Sequence, residues 1–188
     1  MTDARLPNWA RVSPARLAHI ERVAALADRW AVALRVSPAE RERWAKAAWL
    51  HDALRDGSEA ELAEWAPDAE GPVELRHGPA CAARAEAEGE LDRGVLDAVR
   101  YHSLGFVGWD AVGRALYCAD YLEPGRDFDV EARADLARRY PDDPAGVLRE
   151  VARTRILWLI RSGWTLPDTT VGLWNSVVTP GSGAASSP

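Results

Sequence analysis

The chain contains four histidines, His19, His51, His77 and His102. Asp52 follows His51 directly, and Asp120 comes after His102 in a stretch of helical pattern. Imidazole and carboxylate together suit a hard or borderline metal ion that keeps open positions for water. That is the ligand chemistry of metal-assisted phosphate hydrolysis. A single His-Asp dipeptide is a weak signal. The ordered set of His, His-Asp, His, His and Asp is a strong one.

Helices must carry these residues, because the hydrophobic periodicity is helical nearly everywhere. Ser13-Pro14 opens a first helix, with Pro at a position where its missing N–H costs nothing. Ser37-Pro38-Ala39-Glu40 and Ser58-Glu59-Ala60-Glu61 read as capping boxes, the first starting a helix towards His51 and the second a short helix ending near Trp65. His77-Gly78-Pro79 leads into an Ala-rich helix stopping near Gly89. Further helices are expected over 91–102, 109–122, 129–139 and 144–161, and a last short one from Pro167 through Asn175. The pattern shows no alternating strand and no internal repeat. The expected fold is all-α, a single-domain helical bundle. Residues 1–12 read as a lead-in, 13–178 as the domain, and 179–188, rich in Gly, Ser, Ala and Pro, as a disordered tail.

On these helices the candidate ligands lie on apolar faces. His19 aligns with Val23 and Leu26, His102 with Val95, Ala98 and Val99, and Asp120 with Val112, Leu116 and Tyr117. His51 shares a face with Ala47 and Ala48. An inward carboxylate without compensation is costly or becomes neutral, and a metal cluster would compensate Asp52 and Asp120 together. The blander readings are buried histidines bonded to backbone, a surface ion pair for Asp52, and for Asp120 a pairing with a nearby Arg such as Arg114.

Composition narrows the class. The 188 residues are 47% hydrophobic with nine Trp, enough for one domain with a real core. The net charge of -6 argues against a broad nucleic-acid footprint. Lys46 is the sole lysine, so individual arginines supply the other cations. Cys81 and Cys118 make no disulfide framework and read as reduced, buried thiols of a cytoplasmic protein. The opening MTDARLPNWARVSP lacks the apolar stretch of a signal peptide, and no apolar run reaches membrane-span length.

Several segments resemble the HD-domain superfamily of metal-dependent phosphohydrolases. They are Arg16-Leu17-Ala18-His19, Leu50-His51-Asp52, His77-Gly78-Pro79, Tyr101-His102-Ser103-Leu104-Gly105, and Ala119-Asp120-Tyr121-Leu122-Glu123-Pro124-Gly125-Arg126. The chain is similar in particular to the YqeK family, the symmetrical bis(5′-nucleosyl)-tetraphosphatases of bacteria. The Leu166-Pro167-Asp168-Thr169 stretch with Asn175 resembles that family's end. The resemblance implies His19, His51, Asp52, His77, His102 and Asp120 as ligands of two metal ions, with iron as the metal and manganese or another divalent ion as alternatives. It implies Arg126 beside the phosphates and a homodimer. Three positions depart from the family pattern: Arg55 replaces a common Lys, Arg76 a common aromatic and Trp164 a common His. Arg76 is expected to alter the pocket wall, and Trp164 to stand away from the metals.

The mechanism expected from this set has Asp52 bridging the two ions through its two oxygens. Water between them would be activated for in-line attack on phosphorus. Arg55 and Arg126 would clamp the polyphosphate of a dinucleoside substrate, cleaved to two nucleoside diphosphates. Tyr121, Phe106 and Trp109 are candidates to stack on a base, although each aromatic is more often core packing. Two alternatives stay open: an HD-type nucleotidase acting on other nucleotides, and a non-catalytic nucleotide-binding module.

Overall fold

The computed structural model describes residues 6–69 and 72–178. Among them are nine α-helices and no strand. The helices are α1 Pro14–Ala33, α2 Pro38–Leu50, α3 Glu59–Trp65, α4 His77–Ala87, α5 Arg93–Tyr101, α6 Ala111–Leu122, α7 Val130–Arg139, α8 Pro144–Arg161 and α9 Asp168–Val178. The tail expected to be disordered, 179–188, lies outside the described residues.

The helix starts follow the caps read from sequence. Ser13, Ser37 and Ser58 each accept a hydrogen bond from the backbone N–H three residues on, filling one orphan donor of the first turn. The α5 and α6 helices start two residues later than the pattern suggests. Asp92 and Asp110 hold the extended N-cap conformation there and accept from Val95 N and Val112 N. At the other end of the chain, α9 continues beyond Asn175 to Val178.

The bundle is organised around α6, which packs against α1, α2, α5, α7 and α8. Nine of its side-chain positions are buried, including Asp120 in its last turn. The outer helices close over it: Trp30 of α1 stacks on Tyr140 at 3.9 Å and donates its indole N–H to Ala137 O. In the stretch expected as a lead-in, Trp9 is buried in the core. Arg11 N donates to Ala53 O at 2.6 Å and Asp56 N donates to Arg11 O. Residues 9–13 therefore brace the turn that carries Asp52. No helix among the described residues is long and apolar enough to cross a membrane.

Candidate metal centre

Three of the four histidines use one local device. His51 and His102 sit just past the last turns of α2 and α5, and His77 follows a short 3-10 turn at Val73–Leu75. Each donates its Nδ1–H to the carbonyl three residues back, Ala48 O, Val99 O and Glu74 O, all at 2.7 Å. Those carbonyls belong to chain ends that lack a helical partner. His19, inside α1, is oriented instead by a carboxylate: its Nδ1 donates to Glu123 Oε1 at 3.1 Å. A carbonyl or carboxylate can only accept. The four bonds therefore hold an Nδ1–H on the outer edge of each ring and turn Nε2 inward, where its lone pair is available to a metal ion.

The four lone pairs converge on Asp52. Its Oδ1 lies 3.1 Å from His77 Nε2 and 3.5 Å from His102 Nε2. Its Oδ2 lies 3.7 Å from His19 Nε2 and 3.6 Å from His51 Nε2. Asp120 Oδ1 closes the second side at 3.1 Å from His19 Nε2. His77 and His102 Nε2 atoms are 3.1 Å apart, and those of His51 and His19 are 3.4 Å apart. Facing lone pairs repel unless a cation lies among them, so this donor set fits metal ions. Two overlapping groups, His19–His51–Asp120 and His51–Asp52–His102, are each compact enough to hold one.

All six residues are buried, and burial and mutual charge move His19, His51, His77, Asp52 and Asp120 from their ordinary protonation. Burial pushes His51 down to about 4 and lowers His77 as well. At His19 burial acts in the same sense, but hydrogen bonds to Asp120 and Glu123 and the charges of Asp120 and Asp52 outweigh it and raise the ring to about 9, so that its Nε2 carries a proton towards Asp120 that a metal ion would displace. Burial would raise Asp52 and Asp120, yet both lie well below the usual carboxylate range. For Asp52 the cause is the charge of His51 with bonds from His102 and His77. For Asp120 it is the bond from His19 with the charge of Arg155. The carboxylates are thus held ionised around lone pairs, ready for a cation.

The centre opens onto a cleft of about 410 Å³. Arg16, Arg55, Arg126 and Arg155 all line it, so an acidic protein presents a local basic rim. Arg55 makes no ion pair among the described residues. Arg126 reaches Asp120 Oδ1 at 3.2 Å. Arg76, expected to alter the pocket wall, does not line this cleft, whereas Trp164 does. Tyr121 is also off the lining, set against Arg155 and Arg133 with centroid distances of 5.4 and 5.6 Å. Phe106 stacks on Tyr101, and Trp109 is buried with its N–H on Asp97 O. Both serve as packing.

Four residues were missed from sequence. Asp120 pairs with Arg155, not Arg114: Arg155 of α8 donates to Asp120 Oδ2 at 2.7 Å and also reaches Ser103 O at 3.2 Å. Arg16 donates to Asp52 Oδ2 at 2.7 Å. Glu123, 1% exposed, accepts from His19, from Arg22 Nε at 2.5 Å and from Gly125 N at 2.7 Å. These donors overcome its burial and hold its carboxyl at about 2. Arg133 is buried and donates to Tyr121 O and Glu123 O, fixing the strand of loop that follows α6. The Glu-Pro-Gly-Arg segment was the available signal for Glu123. Arg16 stands in the quoted segment before His19, but its partner Asp52, like the Asp120 partner of Arg155, lies more than thirty residues away, and Arg133 bonds to backbone carbonyls that no side-chain pattern marks.

The helical bundle with its buried His and Asp cluster defines a class. A family model for the HD domain matches residues 16–134, and the chain belongs to that family. Among curated relatives it is 33% identical over 104 residues to a symmetrical bis(5′-nucleosyl)-tetraphosphatase of Staphylococcus aureus, covering 54% of this chain and 53% of that protein. A protein of the same description from Bacillus subtilis is 33% identical over 98 residues, 51% of this chain and 52% of that one. The chain thus spans about half the length of the curated relatives it matches. A crystal structure from Clostridium acetobutylicum, described as a predicted HD superfamily hydrolase involved in NAD metabolism, superposes with a TM-score of 0.77 at 24% identity. It covers 89% of this chain and 90% of that one, a likeness of fold.

Proposed function

We propose that the chain is a metal-dependent phosphoanhydride hydrolase that splits dinucleoside tetraphosphates, diadenosine tetraphosphate among them, into two nucleoside diphosphates. The observation that carries the reading is the convergence of four Nε2 lone pairs on the two oxygens of Asp52. The shared description of the two curated relatives supplies the substrate and the symmetrical position of cleavage.

His77 and His102 with Asp52 Oδ1 would hold one ion, and His19, His51 and Asp120 with Asp52 Oδ2 the other. Iron is the metal proposed, with manganese able to use the same imidazole and carboxylate donors. Bound there, such ions polarise a phosphoryl oxygen and bring water towards ionisation near neutral pH. The chain's own residues do the rest. Glu123 and the three backbone carbonyls keep each imidazole in the binding tautomer. Arg16 and Arg155 aim the carboxylates of Asp52 and Asp120. Arg55 and Arg126 on the rim neutralise the polyphosphate and hold it for in-line attack. Arg55 offers a planar fork of N–H donors that matches phosphate oxygens in pairs. The buried thiols of Cys81 and Cys118 support a reducing, cytoplasmic setting.

Purified protein supplied with iron or manganese is expected to convert diadenosine tetraphosphate into ADP alone. AMP with ATP among the products would overturn symmetrical cleavage. Turnover of nucleoside monophosphates in its place would make the chain a nucleotidase.

A further inference from the structure

Two depressions meet at Trp164. Leu75, Leu104, Leu159 and Trp164 line the metal-facing cleft, and the same four residues line a second cavity of about 670 Å³ on its outer side. That second cavity is closed by Tyr101 and by the 165–169 segment leading into α9. Its walls are mostly apolar, with Tyr101 and Trp164 as the aromatics and Arg100 and Asp168 as the charged groups, and it adjoins the arginine-rimmed cleft.

The backbone places Trp164 at this junction deliberately. Helix α8 stops in a Schellman turn: Gly163 N donates to Ile160 O and Trp164 N to Leu159 O. Gly163 takes φ +72°, which only a residue without Cβ adopts easily. The turn brings the indole back over the cleft, where 36% of Trp164 stays exposed. Trp158 supports it edge-on, with ring centroids 5.5 Å apart and planes at 63°. An exposed aromatic so held presents a face for stacking.

The cavity also holds an unspent polar atom. Thr169 Oγ1 is buried and has no hydrogen-bond partner among the described residues, while the neighbouring Thr170 Oγ1 donates to Leu104 O at 2.7 Å. A buried hydroxyl left unbonded is unfavourable, and a ligand edge would satisfy it. An apolar pocket with one such group, continuous with a polyanion site, has the character of a small-molecule site for an aromatic group tethered to phosphate.

We propose that this cavity is the subsite for one nucleoside of the substrate, with Trp164 stacked on its base and Thr169 Oγ1 hydrogen-bonded to it. The assignment rests on the nucleotide reading of the metal cleft. It gives Trp164 a part in binding the base.

The test compares ADP with inorganic pyrophosphate by calorimetry on the full chain loaded with manganese. In Trp164→Ala, ADP affinity is expected to fall about tenfold, the scale of one base–aromatic stack, with pyrophosphate affinity unchanged. Trp164→Phe should keep most of the ADP affinity. Thr169→Val should lower ADP affinity about fivefold, as for one hydrogen bond, without lowering the thermal midpoint. Unchanged ADP binding in both Trp164→Ala and Thr169→Val, or parallel loss of ADP and pyrophosphate, would overturn the subsite. Turnover of diadenosine tetraphosphate by the unaltered chain is measured beside it. If that is absent while the ADP margin over pyrophosphate still depends on Trp164, the proposed reaction fails and the subsite stands. If turnover is present and the margin is independent of Trp164, only the subsite fails.

Discussion

Replacing Glu123 by Gln tests how the centre is built, because it removes one charge and leaves the shape nearly intact. Glu123 faces only donors: His19 Nδ1 at 3.1 Å and Arg22 Nη2 at 3.4 Å on one oxygen, Arg22 Nε at 2.5 Å and Gly125 N at 2.7 Å on the other. A glutamine has one accepting oxygen and one donating NH2. Whichever way the amide turns, its NH2 meets an N–H. With NH2 towards Arg22 and Gly125, the variant loses a charge-assisted pair and should be destabilised by about 1.5–3 kcal/mol. With NH2 towards His19, the ring must accept at Nδ1 and carry its proton on Nε2, the atom that faces Asp52 and Asp120. That ring can no longer ligate. In that second arrangement metal affinity should drop roughly 10–100-fold, the usual effect of losing a partner that orients a ligating histidine, whereas the first keeps the His19 bond and shows as lost stability alone. Calorimetric titration of stripped protein with manganese reads the affinity, and urea denaturation reads the stability. Affinity within twofold of the unaltered chain together with unchanged stability would refute the claim that Glu123 sets the tautomer of His19.

Asp52→Ala should abolish tight metal binding and turnover together, since both halves of the site lose an oxygen; retained turnover would sink the metal mechanism. Gly78→Ala should cost about 1–3 kcal/mol as an overpacked contact, because its Cβ would stand 2.9 Å from Arg100 O and 3.1 Å from Val99 O, the carbonyl that orients His102. Unchanged stability and unchanged metal affinity in thermal and calorimetric assays would count against that close approach. Asp92→Asn keeps a good N-cap for α5 but loses the paired bonds to Arg43 at 2.6 and 2.9 Å. Those bonds, despite burial, hold Asp92 at about 2 instead of its ordinary 3.8. A depressed carboxylate stabilises the fold above its unfolded value and ceases to do so as pH falls through the folded one. The variant should therefore be less stable by up to about 1 kcal/mol at pH 7, as for a partly exposed pair. Its denaturation curve should converge on that of the parent between 3.8 and about 2. A gap that persists below that window would assign the loss to the cap.

Much of the site could be read in advance, for a reason visible in single helices. His19, His102 and Asp120 lie on apolar faces at helical spacing, and an apolar face has one direction to point. The caps were equally local: Ser13, Ser37 and Ser58 act on N–H groups three residues away. The errors lie where another element intervenes. Arg114 is close to Asp120 in sequence, but the helix turns it outward, and Arg155 arrives from α8 in its place. That Trp164 lines the cleft could not be read either, because its position depends on the turn at Gly163 and on where α8 lies over α6.

The sequence by itself determined that this chain is an all-α bundle and that His19, His51, His102 and Asp120 would be driven inward on its helices. Periodicity and capping act within a few residues and need no knowledge of what packs opposite. Only the tertiary structure decided which oxygen of Asp52 meets which pair of histidines, which arginines hold the carboxylates, and that Glu123 fixes the ring of His19. Those contacts join groups tens of residues apart, and hydrogen-bond geometry, not hydrophobic pattern, selects them.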